Sequence, residues 1–114
     1  MQKGSWLPKL FSSNAYPANT LKFYFKNKDK KYLESNKVVQ KIAKDFSGYP
    51  YFGAKSLIVM AKNYFQLNDS YQATSILTSV IENFTDYQDV IDEATSELEI
   101  IKAEEAKTNS SIIK

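Results

Sequence analysis

The chain has 114 residues, 43% of them hydrophobic and 25% charged, which suits one folded domain and leaves too little apolar surface for two. It contains no Cys and no His, so disulfides, thiolate nucleophiles, the usual zinc ligands and the side chain that titrates near neutrality are all excluded. The net charge of +2 is unevenly spread: residues 1–50 hold ten Lys against three acids, and residues 51–114 hold five Lys against ten acids, with no Arg anywhere.

Residues 1–18 read as an irregular or flexible segment. Pro8, Pro17 and the Ser12-Ser13-Asn14 run oppose a long helix, while Trp6, Leu7, Leu10 and Phe11 form an apolar group able to dock on a neighbouring surface. No stretch of the sequence reaches the roughly 20 apolar residues of a membrane-spanning helix. No secretory signal is legible in the first residues either. The cytoplasm is the default compartment on that reading, although the lack of Cys does not distinguish it from a periplasm.

Next comes a basic stretch, Lys22, Lys26, Lys28, Lys30 and Lys31, interleaved with Phe23, Tyr24, Phe25 and Tyr32. Cations beside stacking aromatics suit nucleic acid or another anionic surface. The absence of Arg, the preferred bidentate reader of phosphate and guanine, argues against nucleic acid. A helix end and turn with solvated Lys side chains and core aromatics explains the same residues. Ser35, Val39, Ile42 and Phe46 then fall at helical spacing, and Ser47-Gly48-Tyr49-Pro50 punctuates the chain.

The clearest periodicity lies in residues 51–67, where Leu57, Met60, Ala61 and Tyr64 take positions i, i+3, i+4 and i+7 of one helix face. At Asn68-Asp69 a new helix is expected, with Asp69 as cap and Gln72 three residues on as in a capping box. Its seam is Ala73, Ile76, Leu77, Val80 and Phe84. Helices joined by so short a turn must pack antiparallel. Thr85 with Gln88 repeats the capping spacing and introduces a third helix, residues 86–106. There Val90, Ile91, Ala94, Leu98 and Ile101 line one face, and Asp92, Glu93, Glu97, Glu99, Glu104 and Glu105 occupy the rest. Those carboxylates surround a helix instead of converging, so neither a metal site, a cofactor site nor acid–base catalysis is read from them. The polar residues 107–114 are expected to fray into a flexible tail.

Two segments repeat. Ser35, Val39, Ile42 and Phe46 precede Ala73, Leu77, Val80 and Phe84 by one constant interval, whereas Tyr24-Phe25 and Asp29 precede Tyr64-Phe65 and Asp69 by an interval two positions longer. The two copies are therefore expected to differ by two residues in the turn between their helices. Such a period is the mark of a stacked helix-hairpin repeat.

On these residues the chain resembles the tetratricopeptide-repeat (TPR) family. Leu57, Met60, Ala61 and Tyr64 match the first helix of that repeat, Asn68-Asp69 its turn, and Ala73, Leu77 and Val80 its second helix. The segments Ala54-Lys55-Ser56-Leu57, Gln72-Ala73 and Val80-Ile81-Glu82-Asn83-Phe84 are similar to TPR proteins of Bacteroidetes. The sequence departs from the family at Asn68, where Gly is frequent, and at Thr85, where Pro is common; residues 1–23 do not match. The resemblance implies an all-α, TPR-like α-solenoid fragment: an antiparallel helix-hairpin stack with a partial repeat at 19–50, a full repeat at 51–85 and a C-terminal capping helix at 86–106. Ala61 and Ala73 would be small where two helix axes come within about 8–10 Å.

The resemblance also implies a function, that of a non-enzymatic protein–protein interaction scaffold; some bacterial relatives are periplasmic proteins of the cell envelope. The leading helix of such a repeat lines a concave surface, which here points to Lys55, Ile58, Lys62, Phe65 and Gln66 as the residues that hold a protein or peptide. Two ammonium groups flanking apolar side chains would suit an acidic segment or a C-terminal carboxylate. The same stripe equally suits packing against a neighbouring helix. Fewer than three repeats make a small core, so self-association, basic half against acidic half, is a further expectation.

Overall fold

A computed structural model describes residues 22–45 and 50–113, with the side chains of 42–45 and 109–113 left aside. The irregular segment expected at 1–18, the Trp6-Leu7 group and Phe46 lie outside the described residues, as does the side chain of Ile42. The described residues form five helices and no strand: α1 (Lys22–Lys28), α2 (Tyr32–Asp45), α3 (Pro50–Gln66), α4 (Ser70–Asn83) and α5 (Gln88–Ile113). The all-α class read from the sequence is what the chain adopts.

Local chemistry explains the boundaries. Pro50 occupies the first position of α3, where its missing N–H costs nothing and its fixed φ favours the helix. Asp69 caps α4 as its spacing predicts, its carboxylate accepting the Gln72 N–H at 3.1 Å. Thr85 does not cap α5. The chain turns at Phe84 and Tyr87 instead, with the Tyr87 N–H on the Phe84 carbonyl and the Tyr87 carbonyl accepting from Val90 and Ile91. At its other end α5 runs to Ile113, past the point where the sequence predicts fraying. Ala103, Glu104, Glu105, Ala106 and Lys107 carry a strongly helix-favouring turn into that stretch, and Thr108 Oγ1 bonds back to the Glu104 carbonyl instead of breaking the turn.

The repeat is real in the backbone, and its period differs from the expectation at the turns. Among the described residues, Lys30 and Asn68 have positive φ without being glycine, at 63° and 66°. Around them, the bonds Asp29→Phe25, Lys30→Asn27, Lys31→Lys26 and Ser35→Lys31 recur as Leu67→Asn63, Asn68→Phe65, Asp69→Tyr64 and Ala73→Asp69. Every recurrence is displaced by the interval that separates Ser35 from Ala73, so the two turns have equal length. The longer spacing of the aromatic pairs is a coincidence of side chains, because Phe25 occupies the place of Asn63 and Asn27 that of Phe65. Helix α5 begins at Gln88, the same interval beyond Pro50, and thus stands in the place of α3 in the next unit.

Helix α3 is central and packs on the other four. Phe52 and Val59 join Phe23 and Val39 in one cluster, with Met60 against it. Ala54, Ile58 and Ala61 join Ala73, Leu77, Val80, Val90, Ala94 and Ile101 in another. The sequence pattern assigns one face of α3 to the core, with Leu57 and Tyr64 foremost. In the structure these two are only half-buried, and the helix is covered on several sides. Ala61 and Ala73 face inward as expected, both fully buried, which lets α3 and α4 approach closely.

Polar groups also cross the interior. Asn63 Nδ2 donates to Ser35 Oγ and to Asn36 Oδ1, both at 2.8 Å, while its Oδ1 accepts from Asn27 at 2.7 Å. Ser35 in turn donates to the Phe23 carbonyl at 2.7 Å. This chain of bonds ties α1, α2 and α3 together and satisfies the whole Asn63 amide, the Ser35 hydroxyl and Asn36 Oδ1, leaving only the buried Asn36 Nδ2 of this group without a partner.

Candidate functional site

Tyr51, Lys55, Ile58, Lys62 and Phe65 follow one another at alternating steps of four and three along the chain, which places them on a single stripe of α3. That stripe meets α5, which runs parallel to α3. The Tyr51 hydroxyl donates to Asp89 Oδ2 at 2.6 Å, and its ring lies edge-on to Tyr87 with centroids 5.3 Å apart. Lys55 Nζ donates to Glu93 Oε1 at 2.7 Å. Lys62 Nζ stands 3.5 Å from Glu97 and 3.9 Å from Glu93. The Tyr51–Asp89 and Lys55–Glu93 pairs each span 38 residues, one full repeat.

The open face expected on α3 is therefore largely covered. Ile58 is 1% exposed and Lys55 is buried, because an apolar stripe in water gains by taking on the Val90, Ala94 and Ile101 face of α5. Glu93 and Glu97, expected to be solvated, turn toward the two ammonium groups. This geometry also sets the state of Asp89. Partial burial raises its pKa, but the Tyr51 hydroxyl, the nearby Lys55 charge and the backbone N–H groups at Asp89 and Val90 outweigh it, and the carboxyl sits below its ordinary value.

Beyond Lys62 the two helices leave a cleft, for a reason of length. With 26 residues against 17, α5 runs past the end of α3 and forms one wall of the cleft. One hollow, about 370 Å³, is bordered by Asn27 and Tyr32 on the α1–α2 side, by Lys62, Phe65 and Gln66 on α3, and by Glu97, Ile100 and Ile101 on α5. A second, about 600 Å³, shares Phe65 and Gln66 and continues past Asn68 and Ser70 to Glu104, Glu105 and Thr108. Ile100 stands 49% exposed. Of the five residues expected to bind a partner, Lys62, Phe65 and Gln66 line the cleft, whereas Lys55 and Ile58 lie in the helix interface.

The sequence pattern misses Tyr32, Ile100 and the role of the α5 carboxylates in this cleft. The signal that finds the carboxylate pairs is the repeat interval carried one step further, from Lys55 to Glu93 and from Tyr51 to Asp89. In the basic stretch, Phe23 is core, Tyr24 and Tyr32 are half-buried and Phe25 is 51% exposed. Lys26 pairs with Glu34 at 2.9 Å, and that bond draws the Glu34 carboxyl below its ordinary pKa. Among the described residues no group of His, Cys, Asp or Glu is placed to hold a metal ion, and no helix is long and apolar enough to cross a membrane. In comparisons with known proteins the chain finds no significant match to a family model, a curated protein or a solved structure.

Proposed function

We propose that this chain is a TPR-type interaction scaffold, which holds a protein or peptide in the cleft between the C-terminal end of α3 and the overhanging half of α5. The regular recurrence of the helix hairpin and the small residues Ala61 and Ala73 at the hairpin interior support the repeat reading. The observation that carries the binding reading is Ile100, a half-exposed apolar side chain on the same hollow as Phe65. A water-exposed apolar side chain in a concavity is stabilised when a partner's apolar group covers it.

Selection of a random peptide display library against the whole chain tests this. Enriched peptides that lose binding to the Ile100→Asp variant support the cleft. A library that yields no enrichment, or peptides indifferent to Ile100→Asp, overturns it. Ile100 is surface-exposed, so the charge should leave folding intact; circular dichroism of the variant checks that.

A further inference from the structure

We infer that the cleft takes a cationic segment carrying apolar side chains, contributed by a partner protein, and that it rejects acidic ones. The inference rests on the binding reading above and reverses the charge that the lysines of α3 suggest in the sequence.

The ammonium group bordering the cleft is already engaged. Lys62 stands between Glu97 at 3.5 Å and Glu93 at 3.9 Å, so its charge is already offset and an incoming carboxylate would meet theirs. Lys55, the other cation of the stripe, is buried and donates to Glu93. With Lys62 and Glu97 offsetting each other, the charges left on the walls among the described residues are negative, those of Glu104 and Glu105. Glu104 has a partner in Lys107 at 3.6 Å, an exposed pair one turn along the same helix, which solvent screening leaves weak. Phe65 and Ile100 supply the apolar floor. A Lys or Arg side chain matches this arrangement closely, since its methylene stem lies on apolar surface while the charged head reaches a carboxylate.

An array of immobilised peptides in matched pairs tests the inference. The members of each pair share an apolar anchor and differ only in whether Lys or Glu flanks it, and the array is probed with the whole chain at low and high salt. Lys-flanked members should be retained, more weakly at high salt, and lost with Ile100→Asp. With Glu104→Lys/Glu105→Lys retention should fall about tenfold, as two exposed charge contacts imply. Retention of Glu-flanked members, still sensitive to Ile100→Asp, would overturn the cationic preference and leave the binding cleft standing. If neither class is retained, or if retention ignores Ile100→Asp, the cleft itself is refuted and the preference with it.

Discussion

Asn63 has its whole amide engaged at the junction of α1, α2 and α3. Both N–H groups find acceptors, in Ser35 and Asn36, and its carbonyl oxygen finds a donor in Asn27. Replacing it with Ala removes three bonds and leaves buried Ser35 and Asn36 with polar atoms that water cannot reach. Asn63→Ala is therefore expected to lower unfolding stability by about 2–4 kcal/mol, the range for leaving buried polar partners unmatched. Urea unfolding followed by circular dichroism measures it. A loss below about 0.5 kcal/mol, typical of an indifferent surface change, would show that the network contributes nothing. The role of Asn63 is not legible in the sequence, because periodicity arguments look for apolar residues and pass over a polar one in a buried position. Lys55 misleads for a related reason. Its type suggests solvent, yet a carboxylate one period later lets it be buried.

At the level of elements, the main helices, the short turns and the capped start of α4 are legible because each has a local cause: periodic apolar residues, Asn68-Asp69 and the Asp69 cap. The start of α5 is not. Its opening turn is organised by Tyr87, whose ring packs against Tyr51 from another helix, and such tertiary contacts override a local capping pattern. The closeness of α3 and α4, by contrast, is visible in Ala61 and Ala73. Enlarging the latter should push the hairpin apart. Ala73→Leu is expected to cost about 1–3 kcal/mol through overpacking, whereas Ala106→Leu, at an exposed position of α5, should be nearly neutral. Denaturant midpoints for the two variants decide the matter, and an equal effect at both sites would mean that the hairpin interior is loosely packed.

On the scale of the whole molecule, the repeat interval states what α5 is. It occupies the place of α3 one unit later, and where α3 has Leu57, Ala61 and Tyr64 it has Thr95, Glu99 and Lys102, the last two exposed. Polar side chains there offer no apolar seam to a further hairpin helix, while the opposite face of α5 covers α3. The covering role explains why the candidate site is only partly legible: the stripe that marks a leading helix looks the same whether a peptide or the next helix lies on it. Removal of α5 separates the two. A chain ending at Asp86 would expose Ile58, strip Lys55 of Glu93 and lose the burial of Val90 and Ile101, side chains worth about 1.5–3 kcal/mol each. For a domain whose total stability is of order 5–15 kcal/mol, that loss should abolish cooperative thermal unfolding and bring dye-binding apolar surface into solvent. A chain ending at Thr108, which keeps Val90, Ala94 and Ile101 in place, should still melt in a single transition. If the shorter chain melts as sharply and at the same temperature as the longer one, α5 does not complete the core, and the stripe from Tyr51 to Phe65 is an open face after all.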